Sequence, residues 1–199
     1  KLIIPCPLQA VCKIMGIAMP ALCACFTNDL DRFGVTKNDR IDLTAPTLFS
    51  RSLKNAQIAL GFAEIPNAYR WEKKSGIINP FFEMRSFLVH TNMLSGHTEQ
   101  EIAFATAKAL LLMRPEYYFM QLGPNAIELI LYTIIKAACP QLNIPLNKDQ
   151  MRIFKAIEKT LTEDNLNQIA QTIKQMHARG QQIDVGLFVE SVEDLANRI

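Results

Sequence analysis

His90, His97 and His177 are the three imidazoles of the chain, and no two stand at the spacing that sets a pair of metal ligands on one helix face. His90 falls on a strand-like run and His97 precedes a helix cap. His177 sits in the last turn before Gly180, where the helix dipole favours a cation and a structural role is expected. Cys25 or Cys139 with His90 would be the raw material of a thiol hydrolase. No elbow turn or glycine-rich oxyanion loop marks either thiol as a nucleophile. Cys23-Ala24-Cys25 is one residue short of the C-x-x-C pair of a zinc knuckle. Glu99, Gln100 and Glu101 occupy a first helical turn, where negative charge is stabilising in any case. Arg114 and Glu116 flank Pro115 and are expected to pair or to cap. Lys148, Arg152, Lys155 and Lys159 form a basic stripe at i, i+4, i+7 and i+11. With Asp149 and Glu158 beside it, a solvated face is expected, and a surface for an acidic partner is the alternative.

The elements that must position these groups are mostly helices. Thr98-Glu99-Gln100-Glu101 is a capping box, in which hydroxyl and carboxylate satisfy each other's backbone amides. The helix after it, to about Met113, is apolar nearly all round and is expected to be central and covered on most sides. Arg114-Pro115 ends it. Leu48, Phe49, Leu53, Ala56 and Leu60 predict a helix stopped by Gly61. Ile65–Trp71 and Ser86–Thr91 read as strands around a loop holding Lys73-Lys74-Ser75-Gly76 and Asn79-Pro80. Pro124 opens a helix that runs to Cys139-Pro140. Three amphipathic helices follow, capped at Asn147, Thr162 and Asp184. The apolar opening predicts a short helix from Pro7 to Met15 stopped by Gly16. Lys13, Pro5, Pro7 and Pro20 interrupt the run, so no membrane span is expected. Residues 28–45, turn-rich with a possible short strand at 40–43, read as a boundary. The expected division is an N-terminal helical segment and linker at 1–45, a core at 46–142 and a three-helix extension packed on it at 143–199.

The chain has 199 residues, 49% of them hydrophobic, with 21 Lys and Arg against 19 Asp and Glu. So even a balance gives no electrostatic case for a nucleic-acid partner, and composition excludes a long disordered tail. Five cysteines without framework spacing predict the free thiols of an intracellular, cytoplasmic protein. The chain begins at Lys1 and Asn197-Arg198-Ile199 carries no stop signal. Both ends therefore read as cuts in a longer protein, with Leu195 and Ile199 bordering an uncovered apolar patch.

The order of elements carries a resemblance. Asn67-Ala68-Tyr69, a loop, Phe87-Leu88-Val89-His90-Thr91, Leu94, Thr98 and Glu101-Ile102-Ala103-Phe104 resemble the gluzincin-type zinc endopeptidases of the CAAX prenyl endopeptidase class and their bacterial heat-shock relatives. There, an NAF strand, an edge strand and an LLxxLTxxEL turn lead into the helix bearing HExxH. The resemblance spans residues 46–135 and implies an α+β, mostly helical, zincin-like core: a small sheet on a central apolar helix, with C-terminal helices added. It places Lys108, Ala109 and Leu112 where His, Glu and His would bind zinc and activate water. Glu128 is the counterpart of a third ligand. A lysine ammonium has no lone pair to offer a metal.

The resemblance thus implies a fold without its zinc chemistry: no cofactor, no enzyme activity, and a scaffold or protein-binding role. Ala107-Lys108, Leu110, Arg114-Pro115-Glu116-Tyr117-Tyr118 and Val192-Glu193-Asp194-Leu195-Ala196-Asn197-Arg198 resemble GRxLxxxRPExY and VExTANR segments of large bacterial tetratricopeptide-repeat proteins. The implied partners are other chains, or other domains of the same protein. Two alternatives stay open: a hydrolase with an unrecognised site, and a vestigial cleft that binds a peptide or anion through His90, Lys108 and Arg114. Strand addition at Ser86–Thr91 would be one route to peptide capture.

Overall fold

Helix caps and glycine stops set the element boundaries. The computed structural model describes residues 6–82 and 84–198; Lys1 and Ile199, and with Ile199 the expected cut, lie outside the described residues. The chain is α+β and mostly helical, with one small mixed sheet. Its contacts fall into two compact units, residues 6–26 with 114–198, and residues 27–113. These units do not follow the boundaries expected at 45/46 and 142/143. The first helix joins the C-terminal helices, and the turn-rich stretch after it joins the sheet.

In the helical unit, α1 (Cys6–Phe26) is a single helix. The expected stop at Gly16 is not observed, and the chain stays helical through Pro20. Leu8, Val11, Met15, Ala18 and Leu22 form its buried stripe, while Gln9, Lys13 and Pro20 are exposed. Pro20 has no amide to donate to the carbonyl of Gly16, and its ring lies on the exposed face of the helix. By length and composition Leu8–Phe26 is apolar enough to cross a membrane, with 44% of that window buried. The packing of α1 on α5 (Lys148–Thr160), α6 (Glu163–Ala178) and α4 (Pro124–Ala138) accounts for its buried stripe. Helix α7 (Val185–Asn197) packs on α4. Asn147 with Gln150, Thr162 with Asn165, and Asp184 cap α5, α6 and α7, as their sequences predict.

In the sheet unit, α2 (Leu48–Leu60) starts at Thr47, whose hydroxyl accepts from Ser50, and ends at Gly61, whose φ of 72° suits glycine. It packs on α3 (Glu99–Leu111). The sheet order is β1 (Asn67–Trp71), β3 (Ser86–His90), β2 (Ile77–Ile78). β3 runs parallel to β1, with Tyr69 opposite Leu88, and antiparallel to β2, with Ile78 opposite Leu88. β2 lies in the stretch expected to be a loop; two residues are too few to show an alternating pattern. Leu88, fully buried, meets Val35, Trp71 and Phe82. Phe33 closes this cluster, its ring edge-on to Trp71 and Phe82 and its carbonyl accepting from the Trp71 indole at 3.2 Å.

Residues 28–45 therefore belong to this unit, to whose core they give Val35 and Ile41. They form two 3₁₀ turns, Leu30–Phe33 and Lys37–Asp39. The strand expected at 40–43 is reduced to one bridge, Arg40 to Tyr69, with the Ile41 amide donating to Ala68 O at 2.8 Å.

The cap of α3 makes a pH prediction. Glu101 accepts from the Thr98 amide at 2.8 Å and its hydroxyl at 2.9 Å, and these bonds, with His97 nearby, hold its carboxyl below the ordinary value of 4.5. The folded pKa is depressed, so the stabilisation is complete above the unfolded pKa and fades as pH falls through the folded one. Glu101→Gln keeps a capping hydrogen bond but cannot titrate. Its urea midpoint should fall less than the parent's between about pH 6 and about pH 3. Equal acid loss in both proteins would contradict this role.

Candidate functional site

The positions aligned with the zinc motif lie on α3. Ile102, Thr106, Ala109, Leu110 and Met113 are buried along it, Thr106, Leu110 and Met113 completely. From Ile102 to Leu111 the polar side chains are Thr106 and Lys108. The Thr106 hydroxyl turns back to the carbonyls of Ile102, at 2.8 Å, and Ala103, at 3.0 Å. The half-buried Lys108 places its ammonium 5.9 Å from the Phe104 ring centroid, a cation–π contact. Ala109 is 8% exposed. Leu112 is half-buried at the helix end, where its amide donates to the Lys108 carbonyl at 3.2 Å. The expectation that α3 is covered on most sides is corrected: Ala103 is exposed and Phe104 is 41% exposed. Small alanines beside Phe104 leave that strip without the volume needed to recruit a covering layer.

His90 ends β3 and caps the 3₁₀ turn Thr91–Leu94. Its Nδ1 accepts from the Asn92 amide at 3.2 Å and lies 2.6 Å from Asn92 Oδ1. Nε2 is 3.7 Å from Glu72 Oε2, which also accepts from the Thr91 hydroxyl at 2.9 Å. Asn92 Nδ2 donates to Ser75 Oγ at 3.2 Å, and the His90 amide donates to Gly76 O at 2.9 Å. The ring thus faces Asn92 through Nδ1 and Glu72 through Nε2, while Thr91, Asn92 and the His90 amide bond the 72–76 loop to the end of β3. Sequence reasoning missed this network because sheet register, not local spacing, brings Glu72 and Ser75 to His90. The proposed peptide edge is also corrected. β3 is the central strand, paired along its length by β1 and at Leu88 and Val89 by β2, so it is not the edge strand of this sheet.

A cavity of about 500 Å³ lies elsewhere in the same unit, against Phe62, Ile65, Pro66, Asn67, Met84 and Arg85. It is built from irregular segments that carry no periodic signal.

Arg114 and Glu128 belong to the helical unit. Arg114 Nη1 lies 3.8 Å from Glu116 Oε1, the pairing expected from sequence. Tyr117 hydrogen-bonds to Cys12. Burial pushes the Cys12 thiol up to about 11, the Tyr117 hydrogen bond pulls against that shift, and Glu116 adds to it. Burial, then the neighbouring Cys12 and Glu116, also raise the Tyr117 phenol. Tyr118 and Phe119 are buried beside them, their rings 5.2 Å apart, and Phe26 packs 5.5 Å from Phe119. Glu128 is exposed on α4, outside the stripe of Ile127, Ile130, Leu131 and Ile134. Among the described residues no three His, Cys, Asp or Glu side chains converge as a metal-binding group. Among the described residues Cys12, Cys23, Cys25 and Cys139 form no disulfide. Comparison with family models, with curated proteins and with solved structures gave no match.

Two measurements follow. Leu110→Asp buries a carboxylate on the closed face of α3 and should cost several times more stability in urea than Leu112→Asp, whose side chain reaches solvent. Equal losses would mean that Leu112 is as enclosed as Leu110. In the native protein Cys12 should alkylate far more slowly at neutral pH than in the unfolded chain, accelerating as pH approaches 11. Tyr117→Phe should slow it further, because the hydrogen bond that lowers the thiol is gone. Rapid labelling of native Cys12 near neutral pH would contradict the enclosed thiol.

Proposed function

We propose that the chain is a catalytically silent, metallopeptidase-like domain that serves as a structural and protein-interaction module of a larger, cytoplasmic multidomain protein. The observation that carries this reading is the use of polar atoms on α3. Thr106 spends its hydroxyl on its own helix, Lys108 lies over Phe104, and the alanine aligned with the catalytic glutamate is packed. Beyond its first turn α3 carries no carboxylate, imidazole or thiol that could take a proton from water or hold a metal, which supports the reading. The zincin-like assignment is supported by the succession of β1, β3, the 91–94 turn, the Thr98 capping box and α3, with α2 packed alongside. On this reading the partners are protein chains or domains, with no nucleic acid, no membrane span and no cofactor.

Zinc content tests the proposal. Protein purified without chelator should hold well under one zinc per chain, and added zinc should leave its melting temperature unchanged. About one tightly bound zinc per chain, or a zinc-dependent rise in melting temperature, would overturn it.

A further inference from the structure

The solvent faces of two helices in the helical unit segregate charge by sign. On α5, Lys148, Arg152, Lys155 and Lys159 are all exposed and fall within an arc of roughly 60°. That arc lies opposite Ile153 and Ile157, which are 2% and 0% exposed. Met151, 41% exposed, borders the stripe. Asp149 and Glu158 flank it, and the Arg152 guanidinium carbon also lies 6.0 Å from the Phe26 ring centroid. Among the described residues no carboxylate forms an ion pair with any of the four cations.

On α7 the pattern inverts. Glu190 and Asp194 occupy the face opposite the buried Phe188, Val192 and Ala196, with Glu193 beside them. The helix contains no Lys or Arg. Leu187, 48% exposed, lies on the same face. The one ion pair here is a long surface contact, Asp194 Oδ2 to Arg198 Nη2 at 3.9 Å. The basic stripe spans 148–159 and the acidic residues 190–194, so the acidic face covers part of the stripe, and each face carries one large apolar side chain.

We propose that the basic face of α5 docks on the acidic face of α7 of a second copy of this chain, with Met151 and Leu187 at the contact. A second copy is favoured because both halves of the complementary pair are present on one unit. α5 of one copy meets α7 of the other, while like-charged α5–α5 and α7–α7 contacts are repelled. Two such contacts related by a two-fold axis close a dimer, and a single one propagates into a ring or a filament. Exposed charges steer such contacts and fix their register more than they add affinity, so the assembly is weak and salt-dependent. This inference does not rest on the silence of α3, since a chain with zinc chemistry would carry the same two faces.

Sedimentation velocity on the 199-residue chain tests it. In about 0.1 M salt the sedimentation coefficient should grow with protein concentration. The growth should disappear in about 1 M salt, where the screening length contracts from ~10 to ~3 Å. Lys155→Glu with Lys159→Glu, and separately Glu190→Lys with Asp194→Lys, should each weaken self-association at least about tenfold, with circular dichroism melts confirming that both variants remain folded. An equimolar mixture of the two variants should associate again, because each acidic face then meets a basic one. A parent that stays monomeric, association indifferent to salt or to either reversal, or a mixture that fails to associate would each overturn the proposal.

Discussion

Satisfying polar groups without opening an apolar helix is the constraint on which the sheet unit depends. The buried side of α3 includes one polar side chain, Thr106, and its hydroxyl is returned to the backbone one turn back. Its capping box closes the amide end of the same helix. With those groups answered locally, the rest of that side is free to be hydrocarbon, and α2 packs on the helix. Metal chemistry needs the opposite arrangement: ligand atoms aimed outward from the helix and held ready by neighbours. α3 has given that side to packing.

The same principle explains why irregular pieces of this unit hold their shape. Phe81 adopts a positive φ of 58°, rare for a residue with a Cβ. Its amide donates to Asn79 Oδ1 at 2.9 Å and its carbonyl accepts from the Asn28 amide at 2.9 Å. Asn28 reaches Pro80 O as well, at 2.7 Å. The segment that enters the sheet unit thereby fixes the approach to Phe82, whose ring packs against Phe33 and Tyr69. In the helical unit the equivalent pin is the Cys12–Tyr117 hydrogen bond, made where α1 meets the stretch before α4.

Local chemistry was legible in the sequence and non-local geometry was not. The caps at Thr98, Asn147, Thr162 and Asp184 are encoded within four residues, so spacing alone locates α3, α5, α6 and α7. Pro124 and Gly61 mark their helix ends for the same reason. Strand composition placed β1 and β3 but carries no information on who pairs with whom, and β3 proved central. The continuity of α1 is not legible because Gly16 and Pro20 break a helix only in some contexts, and the packing of its buried stripe on α5 and α6 is non-local. The His90 network and the Cys12–Tyr117 pair join residues distant in sequence, and no pattern within either segment announces them. The exposed strip at Ala103 and Phe104 is not legible because apolar composition alone does not report burial.

The central proposal is that the positions aligned with a zinc motif form no metal cleft, with Ala109 enclosed and Lys108 and Leu112 half-buried. Rebuilding the motif as Lys108→His, Ala109→Glu and Leu112→His tests it directly, through urea unfolding with and without zinc. A glutamate at the enclosed position of Ala109, 8% exposed, should lower stability by several kcal/mol, about 2–5, and added zinc should not restore it. A rebuilt protein that keeps the parent's midpoint, takes up one zinc per chain and is stabilised by it would show an open metal cleft and contradict the account.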